Sequence, residues 1–340
     1  MSSSSACGPA PAVHSVGLIG LGIMGGRMAR ALIEAGHRVC GHDPLAARRQ
    51  ALRRAGGQAL AGNAEVARQA EVLVSSLPTS AALREVVEAL GQVPPPVAGQ
   101  LFIETSTLPL ADKMWAAQAL RRQGRTMVDG PISGTATPTP QEVWIMYLSG
   151  TVAACRRAAP VVRAFTLQAP RVGALGAGTR LKFAANHLVA IYNVAYAEMV
   201  TLCRCMGLDP AVALEHMGHS PYIGTGAMRL RMPLMIERRY EPATMKIDLW
   251  QKDMRVIGDQ ARAVGCPTPL FDACAAIYTA AAEGGLGELD TAAAAEVLAM
   301  QAGEAHQTGQ TRQQGQQGQQ ARPGARPPRP VRLRPAATRV

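Results

Sequence analysis

The sequence contains few aromatic residues, few lysines and no long apolar run, and each shortage narrows the range of possible functions. Phe, Trp and Tyr make up 4% of the 340 residues, which argues against a protein that stacks exposed nucleic-acid bases on aromatic rings. No uninterrupted apolar run approaches the roughly 18 residues of a membrane-spanning helix, so we expect no membrane segment. The sequence also lacks the G-x-x-x-x-G-K-S/T motif of P-loop NTPases and the G-x-S-x-G turn of many hydrolases.

The seven cysteines are scattered and include no C-x-x-C pair, the nearest two being Cys203 and Cys205. This pattern favours free thiols of a reducing compartment over disulfides or a metal cluster. His216 and His219 lie three residues apart, but no nearby Cys or third His completes a zinc ligand set, so we predict no metal site. The first 14 residues have neither the basic nor the apolar region of a secretory signal, and we therefore expect a cytoplasmic protein.

More than half of the net charge of +11 lies at the C-terminal end of the chain. From Gly303 onward the composition is dominated by Gln, Gly, Arg and Pro, which predicts a disordered tail over 303–340, and residues 1–13 are also predicted to be disordered. Seven arginines and one glutamate give residues 304–340 a charge of +6, which leaves +5 for the rest of the chain. A nucleic-acid interaction is therefore expected only weakly, through this tail and with strong salt dependence.

Strands and helices alternate over the first half of the chain. The first predicted helix covers 23–35, and short apolar runs predict strands at 16–20, 39–42, 72–75, 101–103, 126–128 and 143–148. This alternation predicts a largely parallel sheet covered on both faces by helices. We therefore predict an α/β Rossmann-type N-terminal domain over 14–175.

The second half of the chain shows only helical patterns. A stretch without Pro or Gly predicts one long helix over 181–206, and further helices are predicted at 210–217, 243–264, 268–282 and 291–300. We therefore predict an all-α C-terminal domain over 176–302, joined to the first domain by the long helix.

A glycine-rich turn joins the first predicted strand to the first predicted helix. Its spacing, G-x-G-x-x-G, is typical of dinucleotide-binding turns, where glycines permit a tight turn, the approach of a pyrophosphate and close helix packing. The helix N-terminus adds free N–H groups and a partial positive charge. The predicted cofactor-binding residues of this turn are Gly20, Leu21, Gly22, Ile23, Met24 and Gly25.

Asp43 ends the second predicted strand, 23 residues after Gly20. A carboxylate at this place accepts hydrogen bonds from the adenosine ribose and repels a 2′-phosphate, which favours NAD over NADP. Arg48 and Arg49 follow closely and either favour the opposite choice or are solvated helix residues. We predict NAD as the cofactor, with NADP possible.

Six ordered blocks resemble the β-hydroxyacid dehydrogenase family over residues 15–300. This family includes 3-hydroxyisobutyrate dehydrogenases and semialdehyde reductases, and it is related to 6-phosphogluconate dehydrogenase. The blocks are Gly20-Leu-Gly-Ile-Met-Gly25, Leu77-Pro78, Glu104-Thr-Ser106-Thr107, Asp129-Gly-Pro-Ile-Ser133-Gly134, Gly176-Ala-Gly178 with Lys182 and Asn186, and Lys252-Asp253. NADP-using members usually place Asn-Arg after the second strand, where this sequence has Asp43-Pro44, in line with NAD.

The resemblance implies a role for each matched block. Lys182 is the expected general acid and base, and Asn186 is expected to bind substrate or hold the lysine. The expected contacts to a small anionic substrate are Ser133, Gly134, Thr135 and Asn186. Further expected cofactor contacts are Leu77, Pro78, Ser106, Thr107 and Lys252. The resemblance also implies a homodimer or higher homo-oligomer that packs across the long helix.

The residue types agree with these roles. Only four of the 35 basic side chains are lysines, and Lys182 lies near the positive end of the long helix, where the dipole and partial burial lower a lysine pKa. Lysine can lose its proton at accessible pH, and arginine effectively cannot. Asn186, four residues on, faces the same side of the helix. The alternatives are a surface lysine, a helix-surface asparagine and, for Lys252, a surface pair with Asp253.

The sequence departs from the family pattern beside the expected substrate site. The family usually continues with glycines after Gly134, whereas this chain has Thr135 and a run with two prolines, and Ala185 stands where the family often has Asn. The substrate therefore stays open between a small 3-hydroxy acid and a semialdehyde such as tartronate semialdehyde. An imine reductase or a non-catalytic dinucleotide-binding scaffold is also possible, but such relatives typically lack the lysine.

Overall fold

The computed structural model describes residues 13–134 and 140–303. The chain divides into two units, residues 1–298 and 299–340. The predicted disorder of 1–13 and 303–340 falls almost wholly outside the described residues, and so does Thr135.

The first part of the chain alternates strands with helices. The strands are β1 (Ser15–Ile19), β2 (Arg38–His42), β3 (Gln58–Ala59), β4 (Val72–Ser75), β5 (Gln100–Glu104), β6 (Arg125–Asp129), β7 (Ile132–Ser133), β8 (Ile145–Met146), β9 (Leu148–Ser149) and β10 (Arg171–Gly173). The helices between them are α1 (Ile23–Glu34), α2 (Ala46–Arg54), α3 (Asn63–Gln69), α4 (Ser80–Gly91), α5 (Leu110–Arg122), α6 (Pro140–Val143) and α7 (Val152–Val162).

Helices alone follow β10 in the described chain. They are α8 (Ala177–Cys205), α9 (Pro210–Met217), α10 (Gly226–Glu237), α11 (Ile247–Ala263), α12 (Pro269–Ala281), a π-helical turn (Ala282–Leu286), a 3₁₀ turn (Thr291–Ala293) and α13 (Ala294–Gln301). The boundary predicted at 175/176 falls between the last strand and α8, and the division into two domains stays a prediction.

Eight strands form one sheet in the order β10-β9-β6-β5-β4-β1-β2-β3, parallel except where β9 meets β6. The six strands from β3 to β6 have the doubly wound Rossmann order, which confirms the predicted fold class. The order reverses between β1 and β4, and ligands of such sheets bind outside the carboxyl ends of the strands at this reversal.

Both faces of the sheet are buried because its strands are apolar on both sides. α1 covers one face with Met28 and Leu32, and α4 covers the other with Leu83 and Leu90, all four with no exposed surface. Each such side chain contributes about 1.5–3 kcal/mol of burial free energy. The carboxyl ends of the strands, where ligands bind, are therefore held in place by a well-packed core.

The strand predicted over 143–148 is wrong. Val143 is the last residue of α6, and the residues after it form two short strands, β8 and β9, which belong to different sheets. β8 pairs with β7 in a two-stranded antiparallel ribbon, while β9 joins the main sheet. The apolar run is real, but its two halves have different partners.

α8 is longer than predicted, because it begins at Ala177 rather than 181. α10 and the short strands β3 and β10 were not predicted. α10 contains Pro233 and begins at Gly226, which disguise a helical pattern.

α8 is also the one helix in the described residues that is long and apolar enough to cross a membrane by length and composition, a property that counting uninterrupted apolar runs does not detect. Of its most apolar window, 44% is buried inside the protein. A core helix meets the same criterion, and α8 packs against α10, α11 and α12, so support for a membrane span is weak.

Candidate active site

The glycine turn at the end of β1 has the geometry that a dinucleotide needs. Gly20 has φ of +86°, and a Cβ there would lie 2.2 Å from the carbonyl oxygen of Ser76. A Cβ on Gly25 would lie 2.0 Å from the carbonyl oxygen of Gly20, so α1 packs as close to the turn as glycine allows. α1 begins after Gly22, which has no side chain to cap it, and this leaves first-turn N–H groups for a pyrophosphate.

Asp43 is buried beneath this turn and fixes it. One carboxylate oxygen, Oδ2, accepts the Leu21 N–H at 2.9 Å and the Arg48 guanidinium at 3.2 Å. The other, Oδ1, accepts the Leu45 N–H at 2.9 Å. Burial alone would raise the pKa of Asp43, but these donors together lower it below its usual value, so the carboxylate is ionised.

A crevice lies outside the carboxyl ends of the strands at the reversal point, with the glycine turn on one side. Its opposite wall is formed by the loops that follow β4 and β5. The Leu77 N–H donates to Ser106 Oγ at 2.7 Å, and the Ser106 N–H donates to Glu104 Oε1 at 2.8 Å. Glu104 is fully buried, which raises its pKa, and its Oε2 has no hydrogen-bond partner among the described residues. Ser106 is thus held between the Leu77 N–H and the Glu104 carboxylate. Leu77, Pro78, Ser106 and Thr107 therefore follow strand ends beside the reversal point, as predicted.

Lys182 lies in the second turn of α8 and is 8% exposed. Burial lowers the pKa of its ammonium to about 8, and the negative charge of Asp253 opposes this shift. An amine with this pKa can take up and release protons near neutral pH. The predicted alternative of a surface lysine is therefore wrong.

Asn186 lies one turn further along α8 and is also buried. Its Nδ2 donates to Asp253 Oδ2 at 3.1 Å, so Asn186 is not a helix-surface residue. Burial raises the pKa of Asp253, while Lys252 and Lys182 act to lower it. The sequence indicated Asp253 only as part of a motif, and its contact across 67 positions with Asn186 is a tertiary one.

Lys252 ties α11 to the loop after β5. Its Nζ lies 3.2 Å from Asp253 Oδ1 and donates to the carbonyl oxygen of Thr107 at 2.9 Å. The pair with Asp253 was the alternative in the sequence analysis, but it is half-buried and joins two parts of the crevice wall. Lys252 therefore joins α11 to the loop that carries Thr107, and its contact with a cofactor stays a prediction.

A buried group that the sequence did not single out anchors the N-terminus of α8. Asp129, at the end of β6, pairs with Lys113 at 2.8 Å, and both side chains are at most 2% exposed. Asp129 also accepts the Thr179 N–H at 2.8 Å and its hydroxyl at 2.7 Å. Ser149 donates to Asp129 and accepts the Gly178 N–H at 2.9 Å. The scarcity of lysine in the sequence is a signal that could have drawn attention to Lys113.

Ser133 and Gly134 end the short ribbon that packs beside α8. Gly134 has φ of +149°, and a Cβ there would lie 2.5 Å from Trp144 Cδ1, so the turn depends on glycine. This places the predicted anion-binding turn near the helix that carries Lys182.

In the described residues, no group of three or more His, Cys, Asp or Glu side chains has a geometry that would hold a metal ion. The six cysteines in the described ranges are all free.

Two known families match consecutive parts of the chain. Residues 15–173 match the NAD binding domain of 6-phosphogluconate dehydrogenase. Residues 176–298 match the family described as NAD-binding of NADP-dependent 3-hydroxyisobutyrate dehydrogenase.

Individual relatives cover most of the chain. L-threonate dehydrogenase of Cupriavidus necator is 30% identical over 290 residues, covering 84% of this chain and 96% of the relative. 3-Sulfolactaldehyde reductase of Escherichia coli is 29% identical, covering 85% and 97%. Among solved structures, Mycobacterium tuberculosis 3-hydroxyisobutyrate dehydrogenase with L-serine has a TM-score of 0.75 at 25% identity, covering 84% of this chain and 99% of that one.

Proposed function

The chain belongs to the β-hydroxyacid dehydrogenase family, and on that premise we propose that Lys182 transfers the proton in its reaction. The enzyme is an NAD(P)-dependent oxidoreductase that acts on a small hydroxy acid. The observation that carries the proposal is a buried lysine whose pKa is lowered to about 8, on the helix that borders the crevice.

The nicotinamide of the bound cofactor supplies the hydride acceptor. The Gly20–Gly25 turn and the first turn of α1 would hold the pyrophosphate, and Ser106 and Thr107 would border the nicotinamide. The resulting arrangement leaves the substrate between the β5 loop and α8.

In the oxidation direction, the neutral amine of Lys182 accepts the substrate hydroxyl proton as hydride leaves the carbon. Asn186 holds the oxygen or the amine in place, and Asp253 fixes the Asn186 amide through its hydrogen bond. In the reverse direction, the same ammonium donates a proton to the carbonyl oxygen of a semialdehyde. A pKa of about 8 supports both directions near neutral pH.

The turn at Ser133 and Gly134 is proposed to bind the anionic group of the substrate. A turn of this kind presents backbone N–H groups and a hydroxyl, which suit a carboxylate or a similar anion. The relatives are named for acids and aldehydes that carry such a group. We therefore propose a 3-hydroxyisobutyrate-like acid as substrate, in the predicted cytoplasmic setting and with NAD as the predicted cofactor.

A substrate screen tests this proposal. 3-Hydroxyisobutyrate, glycerate, 4-hydroxybutyrate and serine are each incubated with NAD or NADP, and cofactor reduction is followed by absorbance. We expect reduction with at least one 3-hydroxy acid. Tight NADH binding without oxidation of any acid, and without reduction of the matching semialdehydes, would contradict the proposed reaction. It would favour a non-catalytic dinucleotide-binding scaffold.

We also propose a homodimer formed across α8. Leu181, Leu188 and Leu202 are separated by multiples of seven residues, lie on one face of α8 and are 40%, 45% and 57% exposed. Such a stripe is usually covered by another helix. A second copy of the same helix fits it by two-fold symmetry. Nucleic-acid attraction through the tail stays a prediction and falls on residues outside the described ranges.

A further inference from the structure

Two arginines at the start of α2 turn back toward the end of β2. Arg48 Nη1 donates to Asp43 Oδ2 at 3.2 Å, and Arg49 Nη1 donates to the carbonyl oxygens of Asp43 at 2.6 Å and Pro44 at 2.8 Å. Both arginines therefore contact the end of β2, although the Arg48 side chain also stays exposed to solvent. Arg49 braces the backbone of the turn, and Arg48 reaches the carboxylate itself.

Arg48 also borders the glycine turn. A Cβ built on Gly22 would have Arg48 Nη1, at 3.6 Å, as its nearest neighbour outside the adjacent residues. Gly22 is the position where a pyrophosphate approaches the backbone most closely. The guanidinium therefore lies where the adenosine end of a dinucleotide would lie, between the turn and the end of β2.

The surface that faces this position is cationic rather than anionic. The Asp43 side chain is 3% exposed, and each of its oxygens already accepts a bond from a protein donor, whereas the Arg48 side chain is 46% exposed. The negative charge of Asp43 would repel a 2′-phosphate, but Arg48 contacts this carboxylate directly and its positive charge offsets the repulsion. The planar fork of arginine also matches the geometry of phosphate oxygens.

We propose that Arg48 determines how strongly this enzyme discriminates between its two possible cofactors. Its guanidinium binds the 2′-phosphate of NADP, so that the enzyme accepts NADP as well as NAD. Asp43 keeps the Leu21 and Leu45 N–H groups as donors when the arginine turns to the phosphate, so the glycine turn stays in place. This inference rests on the proposed dinucleotide site and deepens it.

Direct binding of NADH and NADPH, measured by cofactor fluorescence or calorimetry, tests the proposal without need of a substrate. The variant is Arg48→Gln, and the matched control is Arg53→Gln, which removes the same charge from an exposed position of the same helix. A charged hydrogen bond to phosphate supports a tenfold or larger effect. We expect the Arg48 variant to bind NADPH at least about tenfold more weakly, with NADH changed less than about twofold.

The control is expected to bind both cofactors as the wild-type enzyme does. The proposal is overturned if Arg48→Gln leaves the NADPH-to-NADH affinity ratio unchanged, whether both affinities fall or neither does. That result leaves the proposed function intact, because NADH still binds the wild-type enzyme. If the wild-type enzyme binds neither NADH nor NADPH, the proposed dinucleotide site and this inference are both overturned.

Discussion

At Lys182, burial and charge act in opposite directions, and burial dominates. Burial away from water lowers the pKa of the amine to about 8, while the negative charge of Asp253 acts to raise it. The neutral amine that can accept a proton is therefore formed as the pH rises toward and through this value.

The first residue-scale prediction concerns the pH profile of oxidation. We expect kcat/KM to rise with pH along a limb at or below about 8 in the wild-type enzyme. Asp253→Asn removes the charge that raises the Lys182 pKa, so the limb is expected to move to lower pH by on the order of one unit. Asp259→Asn, which removes an exposed charge from the same helix, serves as the control and should leave the limb in place. A limb that moves upward in the Asp253 variant contradicts this account of the site.

The second concerns stability. The Lys182 pKa is about 8 in the folded state against 10.5 for the free side chain, so folding has to bury a charge at neutral pH. This cost is fully present below pH 8 and disappears as the pH rises through 10.5, since the amine is then neutral in both states. Lys182→Met should therefore stabilise the fold at pH 7 by on the order of 2–3 kcal/mol, with a smaller gain at pH 9.5. Urea unfolding at both pH values measures this, and an equal or larger gain at pH 9.5 would count against a buried charge.

The resemblance to the family indicated Lys182, and its rare residue type near the start of a long helix agreed with the implied role. Sequence reasoning did not find the roles of Asp129 or Asp253, because these depend on partners 50 and 67 positions away. The direction of Arg48 was also undetermined, since a side chain in the first turn of a helix can face solvent or the preceding strand.

At the scale of elements, the N-terminus of α8 is fixed to the sheet by Asp129 and Ser149. Two backbone N–H groups of the first turn end on these side chains. The first turn is therefore positioned by β6 and β9, and the second turn, which carries Lys182, follows directly from it.

This anchor gives an element-scale prediction. Asp129→Asn leaves Lys113 buried without its charged partner, and breaking a buried pair in this way costs about 3–5 kcal/mol. Asp112→Asn breaks the more exposed pair with Arg84 and should cost less than about 1 kcal/mol. Urea unfolding of both variants checks the difference, and equal losses would show that the Lys113–Asp129 pair is not an anchor.

Strands and helices were predictable from the sequence wherever a single apolar run forms a single element. β4 and α9 agree with the predicted residues because each is a simple run with clear ends. The run at 143–148 was misassigned because its residues divide between the β7–β8 ribbon and the main sheet, a choice that only tertiary contacts determine.

At the scale of the whole molecule, the exposed face of α8 predicts association. The double variant Leu188→Glu, Leu202→Glu places charges in the stripe and should convert the wild-type dimer into a monomer, because charges are not tolerated in an apolar interface. Val152→Glu, at an exposed apolar position of α7, should leave the dimer intact. Light scattering after gel filtration measures the mass, and a monomeric wild-type protein would contradict the proposed interface.

The central claim is that Lys182 moves the proton, and Lys182→Arg tests it most directly. Arginine keeps the positive charge and much of the length but does not lose a proton at accessible pH. We predict that oxidation of the substrate found in the screen falls by at least about a hundredfold, in line with the loss of a general base, while NADH binding changes little. Lys246→Arg, at an exposed lysine paired with Glu288, should retain full turnover. Undiminished turnover by the Lys182→Arg enzyme would contradict the claim.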